Sequence, residues 1–199
     1  MIVDHVDETI SIKIVYFGPA FSGKTTSIKA LFSHFGKGEE LHSIESTINR
    51  TLFFDYGTVT FQNQEWKLKL HIYTTTGQDF YFVTRPITLR AVDGVIFVAD
   101  SREEVYERNL ASWQELITYF RDSVRDLPIV IAFNKQDLPD KFNSRVFLRE
   151  INIREYKNVE TKYTIALSGE GILGCFEEIL RLILGNYYKH KLVSAVKWV

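Results

Sequence analysis

The segment GPAFSGKT at residues 18–25 has the residue types of a loop that binds phosphate groups. Gly18 and Gly23 let the backbone curl so that its N–H groups face an anion, and Lys24 adds positive charge for the outer phosphates. The Thr25 hydroxyl can bind Mg²⁺. A glycine turn with a surface lysine is the simpler interpretation, but average composition gives this string in roughly one chain in a hundred. The predicted nucleotide contacts here are Gly18, Ala20, Phe21, Ser22, Gly23, Lys24, Thr25 and Thr26.

The segment NKQD at residues 134–137 predicts which base the nucleotide carries. The Asp137 carboxylate can accept both the ring N–H and the exocyclic amine of guanine, and adenine lacks that pair of donors. Asn134 can reach the guanine ring acceptor and tie loops together, while the Lys135 stem can cover the flat side of the base. The string alone is weak evidence and also fits a polar turn. It stands 116 residues after Gly18, at the end of an expected strand, where it is strong evidence.

A second base-side loop is predicted in IALSGEG at residues 165–171. We expect the backbone N–H of Ala166 to meet the guanine oxygen, with Leu167 beside it. This segment taken alone indicates only a loop.

The segments around these loops alternate between strand and helix patterns, which predicts an α/β fold with a mostly parallel sheet. Residues 51–61 and 66–73 flank the turn QNQE and predict one antiparallel hairpin. We expect a single domain over 1–190 and a short C-terminal tail over 191–199. The predicted strands cover 9–17, 51–61, 66–73, 94–101, 127–133 and a segment ending within 163–167, and the predicted helices cover 25–35, 103–121, 143–150 and 172–189.

The composition is that of an ordinary soluble globular protein, with 45% apolar and 25% charged residues among 199. A formal net charge of −1 gives no general attraction to nucleic acid or to an anionic membrane. The single cysteine forbids an internal disulfide, and no histidine shares metal-ligand spacing with it. The chain lacks the patterns of a signal peptide, a membrane span or a lipid anchor. We expect a cytoplasmic protein with at most peripheral membrane contact.

At this point the sequence resembles the small GTPases of the Ras superfamily over nearly its whole length, and the prokaryotic MglA-type branch in particular. The loop IALSGEG is more similar to the Arf branch. The resemblance implies a single P-loop G domain whose six-stranded sheet holds the antiparallel hairpin as its second and third strands. It also implies GTP/GDP and Mg²⁺ as ligands. The segments that carry it, in order, are GPAFSGKTT, RTLFFDY, LHIYTTTGQDFY, LRAVDGVIFVADS and NKQDLP.

One acidic residue of the family pattern is missing. Where relatives have an aspartate that touches Mg²⁺ through a water, this chain has Thr74, whose hydroxyl can hold such a water without the charge. The MglA branch also lacks this acid, and Mg²⁺ keeps several waters, so the loss of one carboxylate is tolerable. We expect Asp100 to cap the helix that follows it. We expect Asp55, inside a strand pattern, to be structural rather than a metal contact.

The resemblance also assigns the hydrolytic residues. Gln78 is the candidate for orienting the attacking water, and the Gly77 N–H would approach the terminal phosphate beside Lys24. Thr51 corresponds to the switch threonine, which binds Mg²⁺ together with Thr25 and senses the terminal phosphate. Arg50 resembles the arginine finger of the MglA branch, worth roughly 10³ to 10⁵ in rate when inserted. A solvated surface arginine remains the alternative.

A switch of this type implies partners. The family is reset by a GTPase-activating protein, which in the MglA branch is typically a small Roadblock-fold protein, and it signals through an effector. We expect these proteins, and an exchange factor, to contact residues near 42–60 and 74–90. We expect no nucleic-acid partner and a chain that is monomeric alone.

Two other functions remain open. A P-loop ATPase or nucleotide kinase would use Asp100 as its acid, although NKQD argues against it. A binding-only module would hold GTP with negligible hydrolysis. Ala20 and Thr74 favour that alternative, because Ala20 stands where most relatives have glycine and its methyl group would crowd Gln78 and the finger. We therefore expect slow intrinsic turnover.

Overall fold

The computed structural model describes residues 1–38, 41–46, 50–63, 65–75 and 84–196. Helices separate most of the strands along this part of the chain. The strands are β1 (Ile2–Asp4), β2 (Thr9–Phe17), β3 (Leu41–Ser46), β4 (Arg50–Gln62), β5 (Lys67–Thr74), β6 (Gly94–Asp100), β7 (Ile129–Asn134) and β8 (Val159–Tyr163). The helices are α1 (Lys24–His34), α2 (Thr84–Leu89), α3 (Tyr106–Phe120), α4 (Ser144–Glu150) and α5 (Ile172–Val196).

One sheet contains all of these strands, in the order β3-β4-β5-β2-β6-β7-β8, with β1 paired to β2. The pairs β2–β5, β2–β6, β6–β7 and β7–β8 are parallel, and β4 pairs antiparallel with β5 as the predicted hairpin. The α/β class is therefore confirmed. The described part has eight strands where we expected six. The two additional strands are antiparallel: β1 is three residues long, and β3 mixes polar and apolar residues, so neither gave a pattern.

The core lies on both faces of the sheet. Every residue of β6 and β7 is buried, as their continuous apolar runs predicted. Alternate residues of β2 serve the two faces: Ile12 and Ile14 pack in the cluster that includes α1 and α5, while Val15 and Phe17 pack in the cluster that includes α3 and α4. The central strands are thereby fixed from both sides, and the loops at their ends are held in place.

Helix α5 packs closely on β6 and runs to Val196, past the 190 boundary that we expected for the domain. A Cβ built at Gly94 would lie 2.7 and 2.9 Å from the tips of Ile183 and Ile179 on this helix. Only glycine allows α5 to approach β6 so closely. Within the described ranges, no helix combines the length and apolarity needed to cross a bilayer.

A matched pair of glycine substitutions tests this packing. Gly94→Ala should lower the free energy of unfolding by about 1–3 kcal/mol, because its methyl group displaces the two isoleucine tips. Gly185→Ala on the exposed side of α5 should instead raise it by about 0.5–1 kcal/mol, since nothing lies within 4 Å and alanine favours a helix. Urea unfolding measures both. Changes of the same sign would contradict the packing.

Candidate functional site

The candidate site lies where four parallel strands end at one edge of the sheet. Strand β2 leads into the phosphate loop, and β7 ends at Asn134. The register aligns Tyr16 of β2 with Thr74 of β5, and Asp100 of β6 with Asn134 of β7, so the two strands of each pair end at the same level. Ligand sites of open parallel sheets form at this edge. Strand pairing thus brings the predicted phosphate and base loops to the same edge of the sheet.

The phosphate loop depends on its two glycines. Gly18 has φ +143° and Gly23 has φ +103°, a range that residues with side chains rarely adopt. A Cβ on Gly18 would lie 2.3 Å from the carbonyl oxygen of Val98, and one on Gly23 would lie 2.2 Å from Nδ2 of Asn134. Helix α1 begins directly after Gly23 with no side-chain cap. Its first N–H groups and partial positive charge suit a phosphate group.

Lys24 is the buried cation of this loop. Its ammonium donates to the carbonyl oxygens of Gly18 at 2.9 Å and Pro19 at 2.7 Å. Burial, and after it the nearby Arg85 guanidinium, lower the pKa of Lys24 to about 7. A desolvated ammonium gains strongly from a bound anion. The loop geometry and this cation together fit the outer phosphates of a nucleotide.

Asn134 holds the phosphate loop against both base-side loops. It is 1% exposed, and its Nδ2 donates to the carbonyl oxygen of Ser22 at 2.7 Å. Its Oδ1 accepts from the Ala166 backbone N–H at 2.9 Å and from the Thr164 hydroxyl at 3.1 Å. The structure therefore differs from our expectation at two atoms. The Ala166 N–H, which we expected to meet the guanine oxygen, donates to the Asn134 Oδ1. The Asn134 Nδ2, which we expected at the ring acceptor, donates to the Ser22 carbonyl oxygen of the phosphate loop.

The remaining base-loop residues lie around this junction. Lys135 adopts φ +67°, and Asp137 lies exposed at the edge of the site. The side chain of Leu167 is 85% exposed. Asp100 does not cap a helix as we expected: its carboxylate is bound by the Lys135 ammonium at 2.7 Å and by the Arg102 guanidinium at 2.9 Å. Both cations pair with this acid beside the NKQD loop.

Asp55, which the sequence prediction treated as structural, lies among the candidate site residues. It is 3% exposed, and its Oδ2 accepts from the hydroxyls of Thr25 at 2.5 Å and Thr74 at 3.1 Å. The Thr74 hydroxyl in turn accepts the Asp55 backbone N–H at 2.8 Å. We expected Asp55 to be structural, and in the structure its carboxylate contacts Thr25, a predicted magnesium ligand, and Thr74, which we expected to act through a water. The alternation along β4 could have indicated this burial, because Asp55, Gly57 and Val59 lie on the same, buried face of the strand.

Oxygen donors of this kind fit a magnesium ion. Mg²⁺ takes hydroxyl and carboxylate oxygens and keeps several waters, and the Thr25 hydroxyl and the Asp55 carboxylate supply one of each. The negative charge missing at Thr74 is present one strand away. The register of β4 on β5 pairs Tyr56 with Tyr73, which places Asp55 beside Thr74.

Several predicted site residues are placed only in part. The backbones of Arg50 and Thr51 lie at the start of β4, paired with Ser46 and Glu45 of β3. Ala20 and Thr26 are half-buried, Phe21 is 77% exposed, and Ser22 is buried. Gly77 and Gln78 lie outside the described residues.

Arg85, in the predicted partner segment, is buried in the described structure. It is 6% exposed, its guanidinium carbon lies 6.0 Å from the centre of the Phe17 ring, and it forms an ion pair with Glu115 of α3. Arg85 therefore fixes α2 against α3. Arg90 and Ile87 of the same segment are exposed.

Comparison with known proteins agrees with this geometry. Residues 13–137 match the family model described as "Ras of Complex, Roc, domain of DAPkinase". The chain is 33% identical over 194 residues to the mutual gliding-motility protein MglA of Myxococcus xanthus, covering 94% of this chain and 97% of that protein. It is 29% identical over 176 residues to the Ras-related protein Rab-5B of Plasmodium falciparum, covering 88% and 79%. A putative Rab-5B of Dictyostelium discoideum is 29% identical over 177 residues, covering 88% and 76%.

The Asn134 junction gives a stability prediction. Asn134→Ala leaves the Ser22 carbonyl, the Ala166 N–H and the Thr164 hydroxyl without this partner. We expect the free energy of unfolding in urea to fall by about 3 kcal/mol, since each buried group left unpaired costs about 1–3 kcal/mol. Asn186→Ala, which removes one exposed bond to the Asp126 carbonyl, should change it by less than about 0.5 kcal/mol. Equal losses would mean that the junction does not hold the loops.

Proposed function

Because the chain belongs to the Ras superfamily of small GTPases, in its MglA-like branch, we propose that it is a GTP-binding molecular switch. It hydrolyses GTP slowly and alternates between GDP-bound and GTP-bound forms that differ in their affinity for a partner protein. The observation that carries the proposal is the Asn134 junction, which joins the phosphate loop to the base loops. A site for the phosphates and a site for the base are thereby held at one fixed spacing.

In this proposal the base is selected by Asp137. Its carboxylate accepts the two adjacent donors of guanine, and adenine leaves the same carboxylate without partners. The Lys135 side chain covers the base. Lys24, Gly18 and Gly23 hold the phosphates.

Nucleotide competition tests the proposed function. With Mg²⁺ present, GTP should displace a fluorescent GDP analogue at concentrations about 10⁴-fold or more below those of ATP, because a carboxylate without partners is costly. Asp137→Asn should weaken GTP and favour xanthosine triphosphate, whose ring carries an oxygen in place of the guanine amine. Asp140→Asn, an exposed neighbour, is the control. Equal displacement by ATP and GTP would overturn the proposal.

We assign the magnesium site to Thr25 and Thr51, with Asp55 supplying the carboxylate that relatives place at position 74. A Mg²⁺ ion held by these residues would supply positive charge to neutralise the outer phosphates. Asp55 orients the Thr25 hydroxyl directly, and Thr74 holds Asp55 through two hydrogen bonds. The departure from the family pattern is then a relocation of the acid to the neighbouring strand.

Substitution of Asp55 tests this relocation. In Asp55→Asn, the Mg²⁺ concentration at which GDP release becomes slow should rise by about tenfold or more. Removing an acid that supports a metal site typically weakens metal binding by this factor. The measurement is the rate of fluorescent GDP release against free Mg²⁺. Adding Thr74→Asp to Asp55→Asn should restore much of the Mg²⁺ dependence, because it returns a carboxylate to the site. Asp4→Asn, distant and exposed, is the control. An unchanged Mg²⁺ dependence in Asp55→Asn would refute the assignment.

The hydrolytic step follows from the family. Gln78 orients the attacking water, Arg50 stabilises charge on the transferred phosphoryl group, and Lys24 balances the phosphates. Thr51 and the Gly77 N–H sense the terminal phosphate. Ala20 keeps the intrinsic rate low by crowding this end of the loop, so Ala20→Gly should hydrolyse bound GTP faster in a single turnover. No turnover even with the cognate partner would leave a binding-only module.

The partners follow from the same reasoning. A GTPase-activating protein, of Roadblock fold as in the MglA branch, and an effector contact residues near 42–60 and 74–90. The exposed residues Ile87 and Arg90 belong to that surface. A cytoplasmic location fits such a cycle.

A further inference from the structure

Asp100 is a buried acid that the proposed cycle does not use. Its side chain is 3% exposed at the end of β6. One carboxylate oxygen accepts from the Lys135 ammonium at 2.7 Å and from Arg102 at 2.9 Å, and the other accepts the Arg102 backbone N–H at 3.2 Å. Burial by itself would raise the pKa of Asp100, but the hydrogen bonds from Arg102 and Lys135 outweigh it and hold the pKa below its ordinary value. Asp100 is therefore an ionised partner for both cations.

The backbone of Asp100 is fixed to helix α3. The side chain of Asn109, which is fully buried, accepts the Asp100 N–H at 3.0 Å and donates to the Asp100 carbonyl oxygen at 2.8 Å. Asn109 also donates to the Val105 carbonyl oxygen at 3.2 Å. These bonds satisfy both backbone groups of Asp100, so the carboxylate projects from a rigid point of the scaffold.

The next residue joins this point to the base loop. The Ser101 N–H donates to the Asn134 carbonyl oxygen at 3.0 Å, and the Gln136 amide donates to the Ser101 hydroxyl at 2.7 Å. Asp100 thus binds Lys135 while Ser101 binds the residues on either side of it. The loop that carries Lys135 is held at three consecutive positions by two residues of another strand end.

We propose that Asp100 is a positioning residue for guanine-nucleotide binding, which acts by holding the Lys135 side chain in place along the base site. The inference rests on the proposed function, because it assigns Lys135 the base contact described there. A free lysine side chain loses rotational freedom about several bonds when it packs against a ligand. This loss of conformational entropy opposes binding. Asp100 orders the side chain before the nucleotide arrives, so binding is tighter and release is slower.

A double-mutant cycle on nucleotide release tests the inference. Asp100→Asn keeps the size of the side chain but loses its charge, and it should raise the release rate of a fluorescent GDP analogue about tenfold. Lys135→Met should raise it at least as much. The double variant should release GDP no faster than Lys135→Met alone, within about twofold, because Asp100 acts through Lys135. A purely structural role for Asp100 predicts instead that the two effects multiply.

Arg102→Gln is the matched control, because it removes the other cation of Asp100 and leaves the Asp100–Lys135 contact. Its release rate should stay within about twofold of the wild type, and urea unfolding checks that each variant is folded. Multiplying effects, an unchanged rate in Asp100→Asn, or an equal increase in Arg102→Gln would each overturn the inference. If the wild type itself fails to prefer GDP over ADP, the proposed function fails instead, so the two failures are distinguishable.

Discussion

The geometry of the site depends on one buried carboxamide. Asn134 ends β7, and its two polar atoms reach the phosphate loop on one side and the loop after β8 on the other. Neither Ser22 nor Ala166 is near Asn134 in sequence. The hydrogen bonds of this single side chain therefore connect loops at the ends of three strands. Gly23 is required for the same reason, because a side chain there would collide with the Asn134 amide.

Two buried acids lie at opposite ends of the site. The acid absent at Thr74 has a counterpart in Asp55 on the neighbouring strand, in contact with Thr25. The acid that resembles an ATPase carboxylate, Asp100, is turned to the base side and neutralised by Arg102 and Lys135. Both acids are buried and multiply hydrogen-bonded, which is how proteins retain charge in an interior. The phosphate and base ends of the site each have one such acid.

The sequence was sufficient for the features that depend on local pattern. Continuous apolar runs identified β6 and β7, and G-x-x-x-x-G-K-T and NKQD identified the two loops because each motif is contiguous. It was not sufficient for β1, which has three residues, or for β3, whose alternation is weak. Asp55 lies 30 residues from Thr25, and Asp100 lies 35 from Lys135. Such contacts depend on strand register and on tertiary packing. The hydrophobic periodicity of the sequence does not predict either of them.

Hydrogen–deuterium exchange of the whole chain tests the central claim, that the three loops form one guanine-nucleotide site around Asn134. Peptides covering 18–25, 134–137 and 165–171 should all gain protection on addition of GDP with Mg²⁺, and none should do so with ADP at the same concentration. Protection confined to 18–25, or equal protection by ADP, would contradict the account.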